Sequence, residues 1–169
     1  MLEIVVCDEV RNLAKELSSE VQKNYSNNKD SIRKGLGHYY AKIGELVVCN
    51  QYGWNHANTF DYDIEAGNNK IEVKVKERSV KPRPNFLATV AAANTRQKCT
   101  HYLFCSTIKD KVCYIIGAIT KEDFLKKATF RKLGEIDHDS PSNQVWTFKA
   151  DCYNLPYSEL LTIGETIML

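Results

Sequence analysis

No run of apolar residues in this 169-residue chain approaches the roughly 20 that a bilayer-spanning helix needs. The opening Met1-Leu2-Glu3-Ile4-Val5-Val6-Cys7 has no basic leader of the secretory kind, so cytoplasmic residence and no membrane partner are the expectations. The six cysteines (7, 49, 99, 105, 113 and 152) form no Cys-x-x-Cys pair and no Cys/His group with zinc spacing. Segments such as Phe104-Cys105 and Val112-Cys113-Tyr114 are apolar, and the thiols read as reduced core residues. There is no Gly-x-Ser-x-Gly elbow and no phosphate-binding P-loop. Gly35-Leu36-Gly37 lacks the third glycine and the preceding strand of a dinucleotide fingerprint. Haem and flavin motifs, internal repeats and low-complexity tracts are also missing. A net charge of +2 is too small to announce a nucleic-acid partner, although a local basic rim would be enough for one. What remains, 43% hydrophobic and 26% charged, is the composition of one globular domain able to bury a core.

The stretch from Asp61 to Lys76 reads as a β-hairpin with two unlike faces. Alternation puts Tyr62 and Ile64 on one face and Asp61, Asp63 and Glu65 on the other. After the turn, Ile71, Val73 and Val75 share one face, while Lys70, Glu72, Lys74 and Lys76 share the other. Gly67-Asn68 suits a two-residue turn, because glycine accepts positive φ without steric cost. That register sets Ile64 opposite Ile71 and Asp63 opposite Glu72. Directly opposed Cβ atoms lie about 4.5–5.5 Å apart, and carboxylates that close repel unless positive charge sits between them. A divalent cation would supply that charge, with Lys74 next along the same face. Alternating Glu and Lys on a half-exposed strand is also the ordinary pattern of a solvated face with cross-strand ion pairs.

Around the hairpin, residues 3–24 begin as a short apolar segment and continue as a helix through Val10, Leu13, Leu17 and Val21. A polar linker over 25–31 leads to a second amphipathic helix over 32–49, through Ile32, Leu36, Ile43, Leu46 and Val47. Gly35, Gly37 and Gly44 each weaken such a helix by about 1 kcal/mol, but small residues permit close packing. Residues 50–59 read as an aromatic, polar loop, 60–66 and 70–77 as the hairpin strands, and 78–85 as a basic connection interrupted by Pro82 and Pro84. The Ala-rich segment 86–98 predicts a helix. Residues 101–107 and 112–119 predict apolar strands turning at Lys109-Asp110. A short helix over 120–128 is capped by Thr120 with Asp123 three residues on. Residues 129–144 read as loop, 145–149 as a strand with Trp146 and Phe148 in the core, and 156–163 as a short helix. Asp137-His138-Asp139 has no partner ligands at useful spacing and reads as a solvated loop. The expectation is an α/β single domain, a mixed β-sheet flanked by helices. Its parts are an N-terminal helical segment (1–30), a core (32–119) and a C-terminal helix and strand extension (120–169).

The pairing of Asp63 with Glu72-Val73-Lys74 resembles the signature of the PD-(D/E)XK nuclease superfamily, whose fold is restriction-endonuclease-like. Tyr62 stands where many members carry proline. A helix with Gly44-Glu45 precedes the hairpin, as in many members, and a helix containing Gln97 and then an apolar strand follow. The resemblance runs from Ile32 to Ile119. His38 to Gly117 looks most like small stand-alone nucleases of phage or mobile-element type.

The resemblance implies a Mg²⁺-dependent DNA endonuclease in which Mn²⁺ substitutes, acting on duplex or branched DNA. Asp63, Glu72 and the Val73 carbonyl would hold the metal, as hard oxygen donors suit such ions. Lys74 would orient water or stabilise charge in the transition state. Its service as a base stays open, because lysine beside two carboxylates tends to keep its proton. Glu45 would bind a second metal or a metal-bound water, and Gln97 would hold water or phosphate. Asp61 falls on the carboxylate face one pleat further out. Lys76, Arg78, Lys81 and Arg83 would form a phosphate rim, and Trp54, His56 and Tyr52 could touch bases or sugars. Plain solvent exposure is the competing reading for Glu45, Gln97, His56 and the basic run. Small stand-alone members often dimerise to cut two strands, so a homodimer is a further expectation. Two alternatives differ in class: an inactive nucleic-acid-binding module on the same fold, and an inhibitory interaction protein that presents the charged hairpin face.

Overall fold

A computed structural model describes residues 1–25, 36–57, 59–137 and 146–167. In chain order the elements are β1 (Leu2–Val5), α1 (Asp8–Tyr25), α2 (Leu36–Tyr52), β2 (Asn55–His56), β3 (Ile64–Ala66), β4 (Asn69–Arg78), β5 (Leu87–Ala91), a 3-10 turn (Ala92–Arg96), β6 (His101–Ile108) and β7 (Val112–Thr120). There follow α3 (Lys121–Lys127), β8 (Thr129–Arg131), β9 (Ile136–Asp137), β10 (Trp146–Thr147), β11 (Cys152–Pro156), a second 3-10 turn (Tyr157–Glu159) and α4 (Ile163–Thr166). The six-stranded main sheet has the order β1-β7-β6-β4-β3-β2. Only β4 and β6 run parallel in it, and the connection through β5 and the first 3-10 turn supplies the crossover that a parallel pair requires. The result is a mixed α/β single domain.

Period-two alternation divides the sheet's side chains between two cores. Ile71 and Val73 of β4, Leu103 and Cys105 of β6, and Cys113 and Ile115 of β7 pack under the helices through Val10, Ala14, Ile43, Leu46 and Val47. Tyr102, Phe104 and Ile119 face the other way, onto Phe124 of α3 and onto Ala88, Val90 and Leu155 of a three-stranded sheet, β5-β11-β8. Helices therefore cover one face, while the expected second helical layer is mostly a small antiparallel sheet. α2 lies so close to β4 that a Cβ on Gly44 would stand 2.3 Å from Val75 Cγ2. Glycine there lets the helix, and Glu45 with it, settle against the sheet. Among the described residues no helix is long and apolar enough to cross a membrane.

β1, α1, β6, β7 and α3 form where the sequence pattern places them, and Thr120 caps α3 by accepting from the Asp123 N–H at 3.1 Å. Leu13 is nonetheless exposed on α1, whereas Val10 and Leu17 pack inward. α2 runs on to Tyr52 and ends at Gly53, whose φ of +68° stops a helix; residues 32–35 of the expected helix and most of the polar linker lie outside the described residues.

The expected helix over 86–98 is instead β5 followed by a 3-10 turn. Ala91–Ala93 favour a helix locally, but β11, far along the chain, pairs Val90 with Tyr153 and Ala88 with Leu155. That tertiary pairing outweighs the weak local preference. Residues 129–137, expected as loop, contain β8 and β9, and the expected helix over 156–163 is the end of β11, a 3-10 turn and the start of α4. β10 occupies part of 145–149, but Trp146 is 51% exposed, because the β9–β10 ribbon is hydrogen-bonded to neither larger sheet. His138 and Asp139 lie outside the described residues. Five cysteines are buried as expected; Cys7, at the surface between β1 and α1, is exposed.

Candidate functional site

The hairpin has the register the sequence predicts: Ile64 pairs with Ile71, Glu65 with Lys70 and Ala66 with Asn69, and Gly67 turns at φ +57°. The ladder then stops. The Asp63 N–H donates to the Ile71 carbonyl at 2.9 Å, and the Asp63 carboxylate accepts the Val73 N–H through Oδ2 at 2.9 Å. Asp63 is therefore not the ladder partner of Glu72; its side chain stands in for a strand carbonyl at the edge of β4. In an extended strand the N–H and C=O of one residue point the same way, so the Val73 carbonyl faces this edge too. Tyr62 departs from the expected alternation: it packs on the second core, and its hydroxyl donates to Glu65 Oε1 at 2.7 Å.

Three carboxylates approach this edge from different layers. Glu45 comes from α2, Asp63 from the end of the β3 segment, and Glu72 from the β4 face turned toward the second core. Glu45 and Glu72 are only 3% and 6% exposed. Burial pushes the Asp63 carboxyl well above the usual carboxylate range, and the charges of Glu45 and Glu72 push the same way, against the Val73 N–H and Lys42. The field reaches two thiols. Burial holds Cys49 up at about 12, with Glu45 and Asp63 adding to it, and burial raises Cys99, with Glu72 adding. Neither thiol is thereby prepared as a nucleophile.

Lysines answer the carboxylates. Lys74 Nζ donates to Glu72 Oε1 at 2.6 Å and reaches Gln97 Oε1 at 3.4 Å, while Gln97 Nε2 donates to the Phe60 carbonyl at 2.8 Å. Gln97 thus joins the group from the end of a 3-10 turn, not from a helix. Lys42, one helical turn before Glu45 and 6% exposed, donates to Glu45 Oε2 at 2.6 Å. His56 Nε2 faces the same oxygen at 2.7 Å. Lys42 is not among the residues expected at the site, although its i, i+3 spacing to Glu45 is a signal the sequence carries. His56 is an internal partner of Glu45 and is neither simply exposed nor part of a rim.

Among the described residues no group of three or more His, Cys, Asp or Glu is arranged as a ready metal cage. The residues nonetheless suit a hard cation in kind. Glu72 Oε2 is buried and has no hydrogen-bond partner, and three carboxylates face only two ammonium groups. Asp63 and Glu72 offer carboxylate oxygens, the donors that Mg²⁺ and Mn²⁺ prefer.

Of the expected nucleic-acid rim, His56 meets Glu45, while most of the other residues are engaged in contacts of their own. Trp54 stacks on Tyr52 at 4.8 Å against the first core, and both are half-buried. Lys76 Nζ donates to Thr89 Oγ1 at 3.3 Å between the two sheets. The Arg78 guanidinium lies 4.3 Å from the Phe86 ring centroid and 5.6 Å from that of Tyr157. Lys81 pairs with Glu3 of β1 at 2.9 Å, and Arg83 is exposed. At about 3.3 Å per residue, β4 carries this run progressively away from Glu72. Asp61 serves a loop contact, accepting the Lys98 N–H at 3.1 Å. The surface near the group is marked instead by Phe60, 65% exposed, with Arg96 over its ring at 5.7 Å, a pair that no spacing in the sequence announces.

No protein-family model matches the chain, and no curated protein matches it significantly.

Proposed function

We propose that the chain is a divalent-cation-dependent endonuclease of the PD-(D/E)XK kind, hydrolysing phosphodiester bonds in DNA at the Asp63–Glu72–Lys74 group. The observation that carries this reading is the buried, unpartnered Glu72 Oε2 near Asp63, whose carboxyl burial and the charges of Glu45 and Glu72 push up. Asp63, Glu72 and the Val73 carbonyl are the residues that would hold Mg²⁺ or Mn²⁺. When bound, such a cation neutralises charge building on the phosphate and makes a water more acidic. Lys74 has three N–H donors; one is on Glu72 and another reaches toward Gln97, which leaves the third for a water or a phosphate oxygen. Gln97, anchored on Phe60, limits where that ammonium can go. The restriction-endonuclease-like fold belongs to the same proposal, supported by the β4–β6 parallel pair and by the helix bearing Glu45 against β4.

A second reading, an inactive DNA-binding or interaction module, draws on the Lys42–Glu45 and Lys74–Glu72 pairs, which partly close the acidic group with the chain's own cations. The two are separated by incubating the protein with linear duplex, single-stranded and four-way-junction DNA and with RNA, in Mg²⁺, in Mn²⁺ and in EDTA, beside Lys74→Ala. Metal-dependent cutting that Lys74→Ala loses supports the nuclease and identifies its substrate. Binding without cutting supports the module. Neither binding nor cutting of any nucleic acid leaves the interaction protein.

A further inference from the structure

The three carboxylates are numerous enough for two divalent cations, yet they are not equivalent. Glu72 has a buried oxygen with no hydrogen-bond partner. Glu45 is already engaged: its Oε2 receives Lys42 Nζ at 2.6 Å and faces His56 Nε2 at 2.7 Å. Lys42 is 6% exposed, and moving so buried an ammonium off its carboxylate is costly. Its stem is one turn from Glu45 on the same helix face, and α2 is held against β4 by the close contact at Gly44.

We propose that Lys42 is a built-in cation standing where a second divalent ion would bind, so that the centre takes one divalent cation, at Asp63 and Glu72. Glu45 is then a positioning residue tied to Lys42 and His56, not a metal ligand. The inference rests on the nuclease reading. Charge favours it. With all three carboxylates ionised, as ligation of a cation requires, Glu45, Asp63 and Glu72 against Lys42 and Lys74 leave one net negative charge, and one divalent ion turns this into one positive charge, matched to a single phosphate. A second ion would put two more positive charges into a largely buried group with no carboxylate left to balance them.

The test is the number of Mn²⁺ ions bound per chain, counted from the free-ion electron paramagnetic resonance signal across a titration of the full chain. Wild type is expected to bind one ion, Glu45→Gln still one, and Lys42→Met, which removes the charge and keeps the bulk, two. Lys42→Gln repeats the last arm should Lys42→Met fail to fold. Two ions in wild type, or loss of the single ion in Glu45→Gln, overturns the inference and leaves the nuclease reading standing. A folded Lys42 variant that still binds one ion overturns the role of Lys42. No ion in wild type overturns both the inference and the nuclease reading.

Discussion

Replacing Gly44 by alanine tests the packing that brings Glu45 to the sheet. The new Cβ would stand 2.3 Å from Val75 Cγ2 and 3.4 Å from Cγ1. Comfortable carbon–carbon separation is about 3.5–4.0 Å, so the first contact is more than ~1 Å too short. Val75 is β-branched and stiff at χ1, and it cannot simply swing aside. Overpacking of this kind costs about 1–3 kcal/mol. Alanine returns about 1 kcal/mol through its better helix propensity. The net is a loss of roughly 0–2 kcal/mol, centred near 1, which lowers Tm by about 2–4 °C in a domain of this size. Urea or thermal unfolding of wild type, Gly44→Ala, Val75→Ala and the double variant reads it out. In the Val75→Ala background the added methyl enters vacated space, and Gly44→Ala should there stabilise by about 1 kcal/mol. If Gly44→Ala stabilises by that amount in the wild-type background as well, α2 does not approach β4 as described, and the placement of Glu45 falls with it.

Asp63→Asn should stabilise the protein near pH 7 in the absence of divalent ions. The native carboxyl is raised above its ordinary 3.8, so folding takes up a proton between the two values, stability falls as pH rises through the native value, and the full penalty is present above it. The gain in Tm should therefore shrink to nothing below about pH 4, and a gain independent of pH would contradict the assignment. Arg78→Ala removes contacts with Phe86 and Tyr157 and should cost about 1–3 kcal/mol in denaturant unfolding; a change within ~0.3 kcal/mol would refute the stacked placement. Native protein should show one fast-reacting thiol toward a disulfide reagent, Cys7, with the other five released only on unfolding, and two fast thiols would contradict the burial pattern.

The parts legible in the sequence are those fixed by near neighbours. Gly67-Asn68 and the alternation beside it set the hairpin register, and Thr120 with Asp123 sets the start of α3. What was not legible depends on distant partners. Thr89 and Val90 favour a strand while Ala91–Ala93 favour a helix, so the local signal is mixed, and nothing in it reveals that β11 will pair there. The exit of Asp63 from the ladder is likewise invisible, because alternation assumes that the strand continues; only the bond from the Val73 N–H shows the carboxylate replacing a carbonyl. The basic run misled for a related reason. Composition places Lys76, Arg78 and Lys81 near Glu72 in sequence, but Thr89, Phe86 and Glu3, each from another element or its flank, decide where they go. Lys42 and His56 converge on one oxygen of Glu45 from a helix and a short strand, a meeting that spacing could hint at for the lysine and not for the histidine.

The most direct measurement is the nicking rate of supercoiled plasmid in Mn²⁺ for wild type and for Glu72→Gln, with both shown to be folded. Glutamine keeps the shape and removes the charge that Asp63, Glu72 and Lys74 share. Wild type should nick in Mn²⁺ and stop in EDTA, and Glu72→Gln should be slower by about 10²-fold or more, the scale of losing a key electrostatic group in a buried centre. Equal rates in the two proteins, or a wild type inert in Mn²⁺, would contradict a cation-dependent centre at Asp63 and Glu72.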